Sequence, residues 1–285
     1  MKVLKTILFV SILSLLFLFP SLSLATCEEG KDIISKAESA SDLDGKIEYY
    51  TEALSKCPDN IEVLTTMTDL YLENNYYDAA YGVVYRLLSL NKFSAEGYYK
   101  LAYIYMMWEE YDQAEKAAQK ALDINSYYVD NYLLLGDLRY YTRDYKEAMK
   151  FYKKALDIDP NNAQAYKKIA SLFFLFEKYD KVVVYLDKAV AVDKNEDTIK
   201  LKELIIKNNS NDYAAVKKLA NEILSTDPNN LMALQTLSIA MLEHEKEKSH
   251  CIEVLTKVYS LERQPFMKNK VEKQIEQIMN SIVRR

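Results

Sequence analysis

The sequence is poor in the residues that interrupt helices and that build catalytic loops. Its 285 residues include only 5 glycines and 5 prolines, with 3 cysteines and 1 tryptophan. This scarcity agrees with an all-helical protein, since glycine and proline both weaken or break helices. It also leaves the chain without a glycine-rich phosphate-binding loop and without a nucleophile elbow. Function classes that depend on either loop are therefore excluded.

Histidine is scarce as well, which leaves few ligands for a metal ion. The 2 histidines, His244 and His250, flank a polar stretch, and Cys251 follows directly. They would be the candidates for a metal site or a Cys–His dyad, but no third ligand stands at a suitable spacing and no two acids form a catalytic pair. We therefore predict no enzymatic activity, no metal and no cofactor. Cys251 is interpreted as a buried packing residue.

An excess of positive charge is also absent. The chain has 37 lysines and arginines against 42 acids, which gives a formal net charge of -5. Binding of nucleic acid requires clustered basic side chains that neutralise phosphates. A nucleic-acid partner is therefore not expected.

The one long apolar run lies at the N-terminus. Residues 7–19 read ILFVSILSLLFLF, follow two lysines and end at a proline. Small residues at Ser23 and Ala25 suit cleavage before Thr26. We therefore predict a secretory signal peptide over residues 1–25 and an exported protein, periplasmic or associated with the outer membrane if it is bacterial.

Two alternatives for this segment stay open. Residues 7–25 could remain uncleaved as a membrane anchor, although the apolar run is short for a span. The stretch LATC also resembles a bacterial lipoprotein box, which would place a lipid on Cys27. Thr26 departs from the small residue that usually precedes that cysteine.

What the sequence has in place of catalytic motifs is a repeat. Residues of several types recur at steps of 34 or its multiples: Tyr77, Tyr111, Tyr145, Tyr179 and Tyr213; Ala80, Ala114 and Ala148; Val182 and Val216; Pro58, Pro160 and Pro228. Several residue types that share one period and one phase indicate stacked supersecondary units.

One unit reads as two antiparallel helices. Within residues 129–162, apolar residues at helical spacing fall into two sets, and Arg143 and Asp144 interrupt the pattern between them. Pro160 stops the second helix, and the two asparagines after it favour a turn and a new helix start. The small residue Ala148 allows the two helices to approach closely.

At these positions the chain resembles the tetratricopeptide repeat family. Unit 129–162 supplies the family's pattern as Tyr132, Leu135, Gly136, Tyr145, Ala148, Ala155 and Pro160; unit 95–128 supplies Tyr98, Leu101, Ala102, Tyr105, Tyr111, Ala114 and Ala121. The resemblance implies an all-α, right-handed α-solenoid of about seven tandem units over residues 26–264. The predicted units are 27–60, 61–94, 95–128, 129–162, 163–196, 197–230 and 231–264. No linker interrupts them, so we expect one continuous superhelix.

The final segment, residues 265–285, is predicted to form a capping helix. Its apolar stripe, Val271, Ile275, Ile278 and Ile282, would close the open end of the solenoid. A partner-binding amphipathic helix is the alternative.

The resemblance also implies a binding surface. In the family, the first helices line a concave face, with open positions at the second, fifth, ninth, twelfth and thirteenth residue of each unit. Carried over, the predicted groove consists of Glu96, Tyr99, Tyr103, Met106, Met107, Asp130, Leu133, Asp137, Tyr140, Tyr141, Phe174 and Leu175. The lysine and asparagine positions of the family's carboxylate clamp are not matched, since Tyr99, Tyr103, Leu133 and Asp137 stand there.

This surface of aromatics and methionines with an acidic rim suits a helix or an extended peptide. We therefore predict an exported interaction scaffold that binds a protein or peptide partner, with a role in cell-envelope assembly. The alternative is a receptor for a small ligand or a short peptide. The open residues could instead pack on neighbouring helices or on the chain's own C-terminal helix.

Cysteine spacing predicts one disulfide bond. Cys27 opens the first helix of unit 27–60, and Cys57 closes the second. The two ends lie side by side in an antiparallel hairpin, so the cysteines are candidate partners in an oxidising compartment. A lipid on Cys27 would exclude this bond.

Overall fold

The computed structural model describes residues 30–244, 248–262 and 265–283, and this part of the chain contains 15 helices and no strand. The helices are α1 (residues 30–39), α2 (Leu43–Lys56), α3 (Ile61–Glu73), α4 (Tyr77–Leu90), α5 (Ala95–Met107), α6 (Tyr111–Ile124), α7 (Val129–Tyr141), α8 (Tyr145–Ile158), α9 (Ala163–Leu175), α10 (Tyr179–Val192), α11 (Glu196–Asn209), α12 (Tyr213–Thr226), α13 (Leu231–His244), α14 (Lys248–Leu261) and α15 (Pro265–Val283). The predicted all-α repeat solenoid is confirmed as the fold class.

Polar side chains start the first helix of each hairpin. Asn60 accepts a hydrogen bond from the Val63 amide at 3.1 Å and so caps α3. Asn162 caps α9 in the same way, at 2.9 Å from the Ala165 amide. Such caps satisfy amide groups that have no partner within the helix. The asparagines two residues after a proline thus fix where those hairpins begin, whereas Ser94 caps α5 without one.

The turn inside each hairpin uses a left-handed residue. Asn75, Glu109, Arg143, Glu177 and Asn211 have φ values of 61°, 63°, 66°, 55° and 57°, and they stand 34 residues apart. The next amide closes the turn on the helix before it, as the Asp144 amide does on the Arg139 carbonyl at 2.8 Å. This is the Schellman pattern, which satisfies carbonyls at the helix end.

The chain divides into two compact units, the first ending at Tyr128 and the second beginning at Val129. In both, the small residue near the start of each second helix is fully buried, as Ala80, Ala114 and Ala148 are at 0% exposure. The tyrosine three residues earlier starts the same helix and packs on the edge of the seam, as Tyr77 and Tyr145 do. Small side chains at the seam let the helices pack closely.

The second unit ends in a core shared by its last helices. Val254 and Leu255 of α14 pack with Val271 and Ile278 of α15, which are 4% and 9% exposed. Ile275 packs against the same cluster. The predicted apolar stripe of the last helix is therefore buried at Val271 and Ile278 and partly buried at Ile275, and the side chain of Ile282 lies outside the described residues.

The predicted signal peptide, the lipid and anchor alternatives and Cys27 all fall on residues outside the described part of the chain. Cys57, the other half of the predicted disulfide, follows α2, and its amide donates to the Ala53 carbonyl at 2.8 Å. None of the described helices has both the length and the apolar character that a membrane span requires.

Candidate binding groove

A cavity of about 190 Å³ opens on the first helices of the second unit. Its walls, called the groove cavity below, are Asp137, Tyr140 and Tyr141 of α7, Tyr152 of α8, Lys168, Ser171, Phe174 and Leu175 of α9, and Leu231, Met232 and Gln235 of α13. The structure therefore brings together five of the predicted groove residues. Tyr152, Lys168, Ser171 and the three residues of α13 complete the cavity.

Asp137 organises the polar floor of the groove cavity. The Tyr152 hydroxyl donates to Asp137 Oδ1 at 2.8 Å, and the Lys168 ammonium donates to Oδ2 at 2.6 Å. Burial and the Asp137 carboxylate together raise the pKa of Tyr152 well above its usual value. The phenol therefore stays protonated and remains the donor, which holds the carboxylate in place.

Gly136 makes this arrangement sterically feasible. A Cβ atom at Gly136 would lie 2.2 Å from Cε1 of Tyr152. Only a residue without a side chain leaves room for the tyrosine ring at this distance. The Leu-Gly pair of the repeat pattern thus places Tyr152 across α7, where its hydroxyl reaches Asp137.

Aromatic rings form one side of the groove cavity. The ring of Tyr140 lies 5.7 Å from that of Tyr141 and 5.8 Å from that of Tyr145, both edge to face. Burial raises the pKa of Tyr140, and the carboxylate of Glu262 adds to the shift. Edge-to-face aromatic pairs of this kind are rigid and offer large apolar areas to a ligand.

The same ion pair occurs in both units. Lys100 approaches Asp69 at 2.5 Å in the first unit, as Lys168 approaches Asp137 in the second, and each pair spans 31 residues. Each joins the ninth position of one repeat to the sixth of the next. In each pair the acid neutralises the lysine. Both lysines stand outside the predicted groove positions, and their spacing of 31 residues from an acid is the feature of the sequence that identifies them.

The first unit carries the other predicted positions on α5. Glu96 is exposed, and Tyr99, Tyr103 and Met107 are partly exposed. The Tyr99 ring packs at 5.2 Å from the ring of Tyr128. These side chains form a separate surface, called the α5 surface below.

Two predicted groove residues are packed inside instead. Met106 is 3% exposed, and Leu133 is 7% exposed within the core of the second unit. Their positions in the repeat correspond to open ones in the family pattern, but neighbouring helices cover them. Both therefore contribute to packing, and we leave them out of the site. Asp130 is exposed and lies outside the walls of the groove cavity.

Both histidines lie in helices, and His244 is the last residue of α13. His250 lies in the first turn of α14, where Nδ1 is 3.5 Å from Glu253 Oε2. Cys251 is 3% exposed and belongs to the core of the second unit. Within the described ranges, no three side chains of His, Cys, Asp and Glu come together as a group that could hold a metal ion.

Two family models match parts of the chain. One described as TPR repeat matches residues 136–175, and one described as tetratricopeptide repeat matches residues 95–128. Together they cover the turns and helices that build the α5 surface and much of the groove cavity. No curated protein matches the sequence.

Solved structures share the fold. A tetratricopeptide repeat protein from Parabacteroides merdae is 15% identical, with a TM-score of 0.62 over 91% of this chain and 99% of that one. The Cut9–Hcn1 hetero-tetramer of APC/C gives 14% identity and a TM-score of 0.64 over 86% of this chain and 48% of its own. MamA is 28% identical over 56% of this chain and 93% of its own, with a TM-score of 0.46. At 15% and 14% identity, the similarity to the first two structures concerns the fold alone.

Proposed function

Because the chain is a tetratricopeptide repeat protein, we propose that it is an interaction scaffold whose groove cavity binds a side chain of a protein or peptide partner. The observation that carries this proposal is the cavity itself, with rigid aromatic walls and a polar floor at Asp137. Interfaces commonly concentrate their binding energy in one or two side chains that fill such pockets.

The chemistry of the floor indicates what would enter. Asp137 and Lys168 neutralise each other, so a carboxylate meets no excess of positive charge there. The carboxylate oxygens of Asp137 can each accept a further hydrogen bond. An aromatic side chain with a hydrogen-bond donor at its tip, such as tyrosine or tryptophan, would pack against the aromatic walls and donate to the Asp137 carboxylate at the floor.

The size of the groove cavity favours a side chain over a whole small molecule. Its volume of about 190 Å³ is smaller than the roughly 300–1,000 Å³ that is usual for small-molecule sites. A small-ligand receptor is the second candidate, since the aromatic walls would also accept a compact aromatic compound. The α5 surface, with Tyr99, Tyr103 and Met107, is proposed as a second contact on the first unit.

A display library of peptides selected against the full chain tests this function. Peptides enriched on the wild-type protein should lose about 30-fold in affinity on Phe174→Ala or Tyr141→Ala, since an anchored aromatic contact is worth about 2 kcal/mol. Tyr140 is a poorer choice for substitution because it packs against the core. Titration calorimetry measures the affinities, and circular dichroism verifies the fold of each variant.

Tyr127→Ala is the matched control, since this tyrosine is 75% exposed and lies outside the cavity. Equal affinities for wild type and all variants would rule out the groove cavity as the site. A rise in melting temperature with small aromatic amines or alcohols, without any peptide binding, would support the small-ligand alternative.

We also propose that the chain is exported and acts in the cell envelope, with a Cys27–Cys57 disulfide bond. Gly30 stands three residues after Cys27, and a Cβ at Gly30 would lie 3.9 Å from the Cβ of Cys57. The intact mass of the native protein tests the proposal. A start at Thr26 and a mass two hydrogens below the dithiol value support it. A lipid adduct on Cys27 would contradict the disulfide bond, and a full-length mass would contradict cleavage before Thr26.

A further inference from the structure

The groove of the second unit continues beyond the groove cavity, beneath the C-terminal helix. A second cavity of about 60 Å³ has walls from both sides: Phe174, Leu175, Glu177 and Tyr179 near the end of α9; Gln235, Ser238 and Ile239 of α13; Val258 of α14; and Met267, Lys270, Val271 and Gln274 of α15. Phe174, Leu175 and Gln235 also line the groove cavity. The two cavities therefore share a wall, and α15 covers the second one.

The C-terminal segment approaches the groove at two points. Lys270 Nζ of α15 lies 3.3 Å from Glu177 Oε1, with both side chains more than half exposed. Glu262, just before α15, is 3% exposed and accepts a hydrogen bond from Gln235 Nε2 at 3.1 Å. The segment thus approaches the wall that the two cavities share.

The contacts of α15 differ in strength on its two sides. Toward α14 it buries Val271 and Ile278 in the core. Toward α9 it leaves the second cavity open. The ion pair between Lys270 and Glu177 is exposed to solvent, and such pairs contribute little to stability. Val271 also lines the second cavity, whereas Ile278 lines neither cavity and packs in the core. The first turns of α15 are therefore held loosely on the groove side, while its later turns are firmly attached at Ile278.

On the basis of the proposed function, we propose that the first turns of α15 are a tethered competitor that occupies the second cavity, into which the partner extends beyond the groove cavity. The partner is then an amphipathic helix with two apolar residues one turn apart and a neighbouring basic residue. On α15, Met267 and Val271 are the apolar pair and Lys270 supplies the charge for Glu177. Laying an apolar helix face into a groove is an established mode of recognition. Displacement of the first turns of α15, while Ile278 keeps its later turns in the core, joins the two cavities into one longer groove.

A labelled peptide with the sequence of residues 265–283 tests the competition. Fluorescence anisotropy measures its binding to the full wild-type chain and to full-chain variants. Lys270→Glu places the new carboxylate beside that of Glu177 and weakens the packing of α15 over the second cavity. The added peptide keeps its own lysine, which can still pair with Glu177. The peptide should therefore bind this variant about three- to tenfold more tightly than the wild type.

The charge-reversed double variant, Glu177→Lys with Lys270→Glu, restores the pair within the chain and repels the lysine of the peptide. Its affinity for the peptide should return to the wild-type level or fall below it. Lys273→Glu is the matched control, since this exposed residue of α15 does not line either cavity. It carries the same change in charge and should leave peptide binding as in the wild type.

Equal binding to the wild type and to Lys270→Glu, or equal gains from Lys270→Glu and Lys273→Glu, would overturn the proposal, as would no binding to any chain. These results are distinct from failure of the proposed function. If α15 is not a competitor but the function holds, display-selected peptides still lose affinity on Phe174→Ala while Lys270→Glu leaves their affinity unchanged. If the function itself fails, Phe174→Ala has no effect either.

Discussion

At the scale of single residues, one glycine determines the floor of the groove cavity. Gly136 gives the Tyr152 ring room to cross α7, and the Tyr152 hydroxyl then fixes Asp137. Gly82, in the middle of α4, has nothing within 4 Å of where its Cβ would be. The two helical glycines therefore differ in function, although helix propensity alone treats them alike.

Gly136→Ala should destabilise the protein by about 1–3 kcal/mol, because overpacking outweighs the roughly 1 kcal/mol gained in helix propensity. Gly82→Ala, the matched control, should instead stabilise it by about 0.5–1 kcal/mol. Chemical denaturation monitored by circular dichroism measures both. If Gly136→Ala stabilised the protein, Tyr152 would be able to move aside with no loss of stability. The position of the tyrosine at the floor of the groove cavity would then not be fixed by Gly136.

At the scale of elements, the turns repeat every 34 residues as the helices do. Each described hairpin from α3 to α12 turns through a left-handed residue, but glycine occupies none of these five positions. Asparagine tolerates the conformation, whereas glutamate and arginine carry a steric cost. The sequence places asparagine, glutamate or arginine at these positions. Because these residues occur throughout helices and loops, composition alone could not identify the turns.

Glu109→Gly is therefore expected to stabilise the protein by about 0.5–1 kcal/mol, since glycine adopts φ near 63° freely. Asn75→Gly should gain less, because asparagine already tolerates this region and accepts a hydrogen bond from the Tyr77 hydroxyl. Thermal and chemical unfolding of the two variants give the comparison. A loss of stability in Glu109→Gly, or a larger gain in Asn75→Gly, would contradict this explanation.

At the scale of the whole molecule, those tyrosines whose pKa the fold raises make stability depend on alkaline pH. A hydrogen bond with Tyr81, followed by burial, raises the pKa of Tyr105 to about 12. In the second unit, burial raises the pKa of Tyr145 and Tyr179 in the same direction. Because the folded state holds these protons more tightly than the unfolded chain, their contribution is complete below pH 10 and is lost above it.

We therefore expect stability to change little as pH approaches 10 and to fall between about pH 10 and 12, where Tyr105 titrates only in the unfolded chain. Ellipticity at 222 nm and tyrosinate absorbance, recorded together against pH, measure the effect. Tyr105→Phe removes one titrating group and should make the decline shallower, whatever its effect on baseline stability. Ionisation of all tyrosines near pH 10, before any unfolding, would be inconsistent with this.

Five of the predicted groove residues lie together because repeat position fixes which face of a helix a residue occupies. Asp137, Tyr140, Tyr141, Phe174 and Leu175 come together as one wall of a cavity. The same rule failed to anticipate that Met106 and Leu133 are buried, since neighbouring side chains decide exposure at a given position. Repeat position determines which way a side chain points, whereas its burial depends on the side chains that pack opposite it.

The sequence by itself determined the all-α repeat fold, because a period of 34 residues with helical spacing inside it admits few other arrangements. Only the tertiary structure decided which surfaces remain open. Leu231, Met232 and Gln235 reach the groove cavity from α13, and α15 covers the second cavity. These contacts join residues far apart in the chain, where no local period constrains them. Their positions depend on how successive hairpins stack within the second unit, and no single repeat encodes that.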